Sequence, residues 1–183
     1  MSSKYKIGDE RYAHFVTFTV VHWIDVFTRD EYRKIIIESL NYCIQHKGLV
    51  VHAFCIMTNH VHLIIASKEG NILAGIVRDF KKYTSYKLID AIKNNSKESK
   101  KEWMLWMFQR AGSKNACNEK YQFWQNGYHP IELDTVFVID QRLNYVHENP
   151  VRAGFVLSAE EYKYSSARNY GSLRDCVMQI ELL

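Results

Sequence analysis

The sequence has no apolar run long enough to span a bilayer, and no apolar segment follows its Met-Ser-Ser-Lys-Tyr-Lys start. Neither a membrane span nor a secretory leader is expected, and the chain reads as cytoplasmic. Its four cysteines, Cys43, Cys55, Cys117 and Cys176, are scattered without a C-x-x-C or any paired spacing. That argues against a zinc knuckle or ribbon and for reduced thiols. Charge of neither sign dominates, since 24 Lys and Arg face 20 Asp and Glu for a net charge of +4. A balance this mildly basic permits a nucleic-acid partner without requiring one. No internal repeat is present. Low complexity is confined to Lys93–Glu102 (KNNSKESKKE), polar and lysine-rich, which is expected to be a mobile loop with a solvated face.

What is present fits one globular domain. At 183 residues, with 47% hydrophobic and 24% charged residues, the chain can bury one good core and is short for two. His14–Val21 alternates β-prone residues as a strand does. A helix follows, with Thr28 and Glu31 placed for a capping box, apolar residues recurring from Ile35 to Ile44, and an end near Lys47-Gly48. Leu49–Met57 and His60–Ala66 read as an antiparallel hairpin, and a helix from about Asn71 to Lys93 follows. The block Trp103–Phe108 suggests a short helix on the domain edge. Tyr128–Leu133 is a candidate fourth strand, and the last major helix runs from about Asp134 to Glu148, stopped by Pro150. The tail beyond it reads as an irregular or short helical cap. This order predicts an α+β protein, a ferredoxin-like βαββαβ sandwich with an antiparallel sheet and an added C-terminal helix. Residues 1–183 form one domain on this reading, with a polar insertion at about 93–122.

The chemistry is concentrated in Met57-Thr58-Asn59-His60-Val61-His62-Leu63. Alternation along a strand sends His60 and His62 one way and Val61, Leu63 and Ile65 the other. The apolar set should face the helices of the sandwich, which leaves both imidazoles on an open face where a divalent metal would suit them. Half-buried histidines that merely alternate are the competing explanation. Two ligands are too few, and the candidates for a third are Asn149, His147, Glu148 and His129. On the last helix, Val136, Ile139, Leu143 and Val146 make one apolar stripe. Tyr145 then points roughly 140° from the stripe's centre, with Asn149 about 40° from Tyr145. His147 falls nearer the apolar side. A surface tyrosine and a helix-ending asparagine would be the ordinary explanation of that pair.

The two segments Asn59-His60-Val61-His62-Leu63 and Tyr145-Val146-His147-Glu148-Asn149-Pro150-Val151-Arg152-Ala153-Gly154 together resemble the single-tyrosine HUH transposases. Among these the chain is most similar to the REP-associated tyrosine transposases, from the first strand to about Tyr170. The resemblance implies that His60 and His62 are the metal pair, Tyr145 the nucleophile and Asn149 the polar third ligand, with Mg²⁺ or Mn²⁺ as the ion. It implies cleavage and rejoining of single-stranded DNA at hairpin repeats through a 5′-phosphotyrosine intermediate. The partner would be single-stranded or hairpin DNA, with no membrane, and a homodimer is left open. The match is poorest over residues 93–122.

For DNA contact, Arg78, Lys81, Lys82 and Lys87 are interleaved with Tyr83 and Tyr86 on the second long helix, as single strands would require, although lysines also mark any helix's wet face. Arg152 is the better placed candidate for a phosphate near the site. Two other functions compete: a nucleic-acid-binding module of the same fold without catalysis, and a metal phosphoesterase that activates water at His60 and His62 with Tyr145 a bystander.

Overall fold

The structure, a computed structural model, describes residues 7–114 and 120–183. Strand β1 (His14–Thr19) sits centrally, antiparallel to β3 (His60–Ser67) on one side and to the two-residue β4 (Ile131–Glu132) on the other. Strand β2 (Leu49–Ile56) pairs antiparallel with the far side of β3, giving the order β2-β3-β1-β4. Helix α1 (Asp30–His46) joins β1 to β2, and α2 (Leu73–Asn94) follows β3. This is the expected ferredoxin-like arrangement.

Side-chain alternation gives the sheet two dissimilar faces. Val16, Phe18, Phe54, Ile56, Val61, Leu63 and Ile65 turn to α1 and α2 and form the main core with Ile36, Leu40, Phe80 and Leu88. Each such side chain, fully buried, contributes about 1.5–3 kcal/mol. A β-bulge between Val51 and Ala53 corrects the register of β2, so that Ala53 and Cys55 join the second face.

That second face is not open, contrary to expectation. Helix α4 (Val136–Arg152) lies across it, packing Val138, Ile139, Leu143 and Val146 on Phe15, Ala53, Cys55 and Ile64. Val136, expected in the apolar stripe, is 73% exposed. The helix begins at Val136 behind an N-cap, Thr135, whose hydroxyl accepts from the Val138 N–H. It does not stop before Pro150 but carries it inside and ends at Arg152. A proline here forfeits the hydrogen bond of its own nitrogen and crowds the carbonyl one turn back, and with only two helical residues after it little helix is left to disturb; its ring is buried.

Other boundaries differ for local reasons. Gly127 and His129, both at positive φ, break the extended backbone at the head of the fourth strand, so only Ile131 and Glu132 pair. The capping box at Thr28 does not form: α1 starts at Asp30 with Arg29 as N-cap, and Asp30 and Glu31 supply the negative charge in its first turn. At its other end Gly48, φ +70°, makes the left-handed turn that the sequence implied.

The segment after α2 is largely exposed, as expected, but it is anchored at one residue. Glu98 is buried and accepts from Arg29 Nε at 2.7 Å and from the Lys100 N–H at 3.1 Å, while Arg29 also reaches the Lys97 carbonyl. This turn leads into α3 (Lys101–Ser113), longer than the expected block, which buries Met104 and Phe108 and leaves Trp103 and Trp106 exposed. Beyond α4 the chain passes through a 3₁₀ turn and the short α5 (Ala167–Tyr170). Hydrogen bonds from the Ile56 N–H to the Tyr164 carbonyl and from the Ser166 N–H to the Phe54 carbonyl cover the free edge of β2. Cys43, Cys55 and Cys176 are unbridged, and Cys117 lies outside the described residues. Among the described residues no helix is long and apolar enough to cross a membrane.

Candidate active site

The cross-strand register fixes the histidine pair. His62 lies opposite Thr17 of β1 and Cys55 of β2, and His60 lies opposite Thr19. Their rings are 4.6 Å apart. His62 is only 3% exposed, because α4 and Phe15 close over it; the Phe15 ring stacks on its imidazole at 5.6 Å.

Each histidine has a partner on Nδ1. Thr17 Oγ1 lies 2.8 Å from His62 Nδ1, and Asn59 Oδ1 lies 2.7 Å from His60 Nδ1. An amide oxygen can only accept, so His60 carries its proton on Nδ1 and keeps the lone pair on Nε2. Asn59 is itself oriented by donating to Asp25 Oδ1 at 2.8 Å and to the Trp23 carbonyl at 3.3 Å. His62 Nε2 is buried with no hydrogen-bond partner, a costly condition for a polar atom that a ligand would relieve.

Electrostatics hold both rings neutral. Burial, then the neighbouring His60, pushes His62 down to about 3, while nearby Asn149 opposes the shift without forming a well-aligned hydrogen bond. Burial likewise lowers His60, against the opposing field of Asp25. Neutral imidazole is the form that binds a metal.

Helix α4 brings the other half. The Tyr145 ring is 5.2 Å from that of His62 and meets Phe15 edge-on at 5.8 Å. Tyr145 and Asn149 do share a helix face, but that face looks toward the sheet and not away from the core. The Asn149 amide nitrogen donates to the Tyr145 carbonyl at 3.1 Å, which leaves its oxygen as the group available to a ligand. The Arg152 guanidinium sits over the Tyr145 ring at 6.0 Å. One turn before Tyr145, Arg142 lies over Phe15 at 5.4 Å with its Nε buried and unpaired.

Among the described residues no group of three His, Cys, Asp or Glu could hold a metal ion, so neither His129, His147 nor Glu148 completes a set with the pair. His147 instead bonds Ser166 Oγ at 2.8 Å and rests on Tyr170. Two neutral imidazole nitrogens and one amide oxygen remain. This donor set fits a borderline divalent ion, Mn²⁺ better than Mg²⁺.

The basic residues of α2 are not brought to this site, since α2 packs on the opposite face of the sheet. Arg78 is exposed and paired with Asp79 at 2.9 Å, and Lys82 is exposed. Lys81 is not on the wet face: its ammonium donates to the Gln125 carbonyl at 3.1 Å, and burial pulls it down to about 8.

Thr17, Asp25, Trp23 and Arg142 also surround the pair, and the sequence pattern does not single them out, while Asn59 lies in the quoted motif without an assigned role. Thr17 carries a usable signal, a polar residue on the same strand face as Phe15 and Thr19. The others depend on tertiary contacts. His22 and Trp23 are consecutive non-glycine residues at positive φ, 56° and 55°, each an arrangement costing about 1–2 kcal/mol.

Comparisons with known proteins bear on the family and the fold. A comparison with curated proteins finds no match. The fold is similar to a solved structure of a REP-associated tyrosine transposase bound to a REP hairpin, with a TM-score of 0.67 over 94% of this chain and 86% of that one at 15% identity. A sequence-family profile described as transposase, IS200-like, matches residues 9–110, more than half of the chain and including β1 to β3 with both histidines. The chain therefore belongs to the IS200-like transposase family.

Proposed function

We propose that this transposase is a metal-dependent DNA strand transferase of the single-tyrosine HUH kind, which cleaves and rejoins single-stranded DNA at hairpin repeats. The observation that supports it most is the Tyr145 ring 5.2 Å from His62, whose buried Nε2 lacks a partner. His60, His62 and Asn149 would hold Mg²⁺ or Mn²⁺, which when bound polarises a non-bridging oxygen of the scissile phosphate.

The chain's own residues supply the rest. Tyr145 Oη attacks phosphorus, the new O–P bond forms as the P–O3′ bond breaks, and the leaving oxygen takes up a proton to become a 3′-hydroxyl. The phenolic proton goes to solvent. The product is a 5′-phosphotyrosine that keeps the bond energy, so a 3′-hydroxyl can reverse the step without ATP. Edge contacts with His62 and Phe15 hold the phenol ring in place, and Arg152 beside it offers a cation to the substrate's phosphates. The hairpin partner is carried over from the solved neighbour, which is bound to one.

Incubation with hairpin oligonucleotides bearing single-stranded flanks and Mn²⁺ should give a covalent protein–DNA adduct that is absent in Tyr145→Phe. An undiminished adduct in that variant would remove Tyr145 from the role. Hydrolysed product without adduct, lost in His62→Ala but kept in Tyr145→Phe, would instead establish the water-using phosphoesterase.

A further inference from the structure

The rings of Trp23, His60, His62 and Tyr145 form a continuous file, with neighbouring centroids 6.0, 4.6 and 5.2 Å apart. The histidine pair lies in the middle, the phenol at one end and the indole at the other. Trp23 is 60% exposed, although a tryptophan has more to gain from burial than most residues. Single exposed apolar side chains are ordinary, and Trp103 and Trp106 on α3 are two more. Trp23 differs in being held outward by strained backbone. Both it and His22 are left-handed, while hydrogen bonds from the Val20 N–H to the Asn59 carbonyl and from the Phe27 N–H to the Thr58 carbonyl tie the segment to the β2–β3 turn. Strain maintained beside a site points to use of the side chain it presents.

We infer that Trp23 is a stacking platform for an unpaired base of the DNA strand, the base of the nucleotide that leaves with the 3′-hydroxyl. This rests on the proposed function. In-line displacement puts the nucleophile and the leaving oxygen on opposite sides of phosphorus. With Tyr145 beside His62, the side toward His60 and Trp23 belongs to the leaving nucleotide. Asp25, two residues along the chain and bonded to Asn59, brings a negative charge to this segment, which suits the neutral face of a base better than a phosphate. A stacked base would keep the freed 3′-hydroxyl at the site for rejoining. The indole face accepts any base, so the platform gives position and not sequence specificity.

The test measures binding in a Tyr145→Phe background, where no cleavage intervenes, with hairpins carrying an abasic site at each flank position in turn. One position should lower affinity about tenfold, a size expected for one base stacked on an aromatic ring. Trp23→Ala should lower affinity for the intact flank by the same factor, abolish the effect of that one abasic site, and leave binding of a flankless hairpin unchanged. Trp23→Phe should keep most of the affinity, and unchanged melting temperatures would show that the variants fold. Cleavage mapped in the Tyr145 protein should place the sensitive nucleotide immediately 5′ of the scissile phosphate. Equal affinity in Trp23→Ala, additive effects of the two changes, or a sensitive nucleotide on the 3′ side would each overturn the platform. Failure of the Tyr145 protein to form an adduct would instead overturn the proposed reaction, while the abasic scan still reports whether Trp23 stacks a base.

Discussion

Thr17→Val is the most informative change to this site because it alters no proposed ligand. Valine keeps the β-branched shape that β1 requires and removes only the hydroxyl that lies 2.8 Å from His62 Nδ1. Two effects should follow. In the metal-free protein His62 would have both ring nitrogens unpartnered while 3% exposed, since its Nε2 already lacks a partner. An unsatisfied buried polar group costs about 1–3 kcal/mol, so the melting temperature should fall by roughly 2–4 °C for each kcal/mol lost. In the presence of metal the ring loses the contact that orients it. Outer contacts of metal-bound histidines are worth about 10–100-fold in affinity, or about 1.4–2.7 kcal/mol. The assay is adduct yield against Mn²⁺ concentration. Its midpoint should move up by that factor while the plateau recovers, because Tyr145 and its contacts are intact. His62→Ala should not recover at any concentration. A Thr17→Val midpoint equal to that of the unaltered protein would refute the idea that His62 presents Nε2 to a metal with Thr17 holding Nδ1.

Three further outcomes are expected. Glu98→Ala should destabilise the protein by about 2 kcal/mol, less than for a fully buried ion pair because Arg29 is 37% exposed, and a urea midpoint that does not move would contradict it. Acid should weaken the metal-free fold well above the carboxylate range. Burial holds His147 down at about 4 and His62 at about 3, against an unfolded value near 6.5, so their stabilisation is complete above pH 6.5 and is lost as pH falls toward the folded values. Each should remove about 2 kcal/mol by pH 5, read from urea midpoints at pH 7.5 and 5.0 in chelator; constant midpoints would refute it. Glu98, which burial alone would raise, is held low by the Lys100 N–H and Arg29, and adds a loss of the same sign below its ordinary range. Finally, Arg152→Ala should weaken hairpin binding alike for all sequences and reduce its salt slope by about 1, whereas Lys81→Ala should leave the slope unchanged, since Lys81 is committed to the Gln125 carbonyl.

Lys81, expected on a wet helix face and found bonded to the Gln125 carbonyl, shows one limit of sequence reading. Period-two alternation in β1 and β3 is readable because it is set by backbone geometry alone. It correctly sends Val61, Leu63 and Ile65 to the helices and the histidines to the other face. What covers that other face depends on where α4 docks, which no local pattern encodes. The helical period puts Val136 in the core stripe and turns Tyr145 away, whereas the real stripe is rotated so that Tyr145 and Asn149 look at the sheet. The same limit explains Glu98: within a lysine-rich run it reads as solvated charge, and only the approach of Arg29 and Tyr32 makes it a buried anchor. The rotation of α4 matters for the chemistry. A tyrosine on an open surface would have to reach a metal site through solvent, and a histidine pair on an open face would be protonated near pH 6. Closing the helix over the sheet buries His62, which keeps it neutral, and in the same movement sets the Tyr145 ring against it. The packing that the sequence pattern could not foresee is thus what brings two histidines and a distant tyrosine side by side.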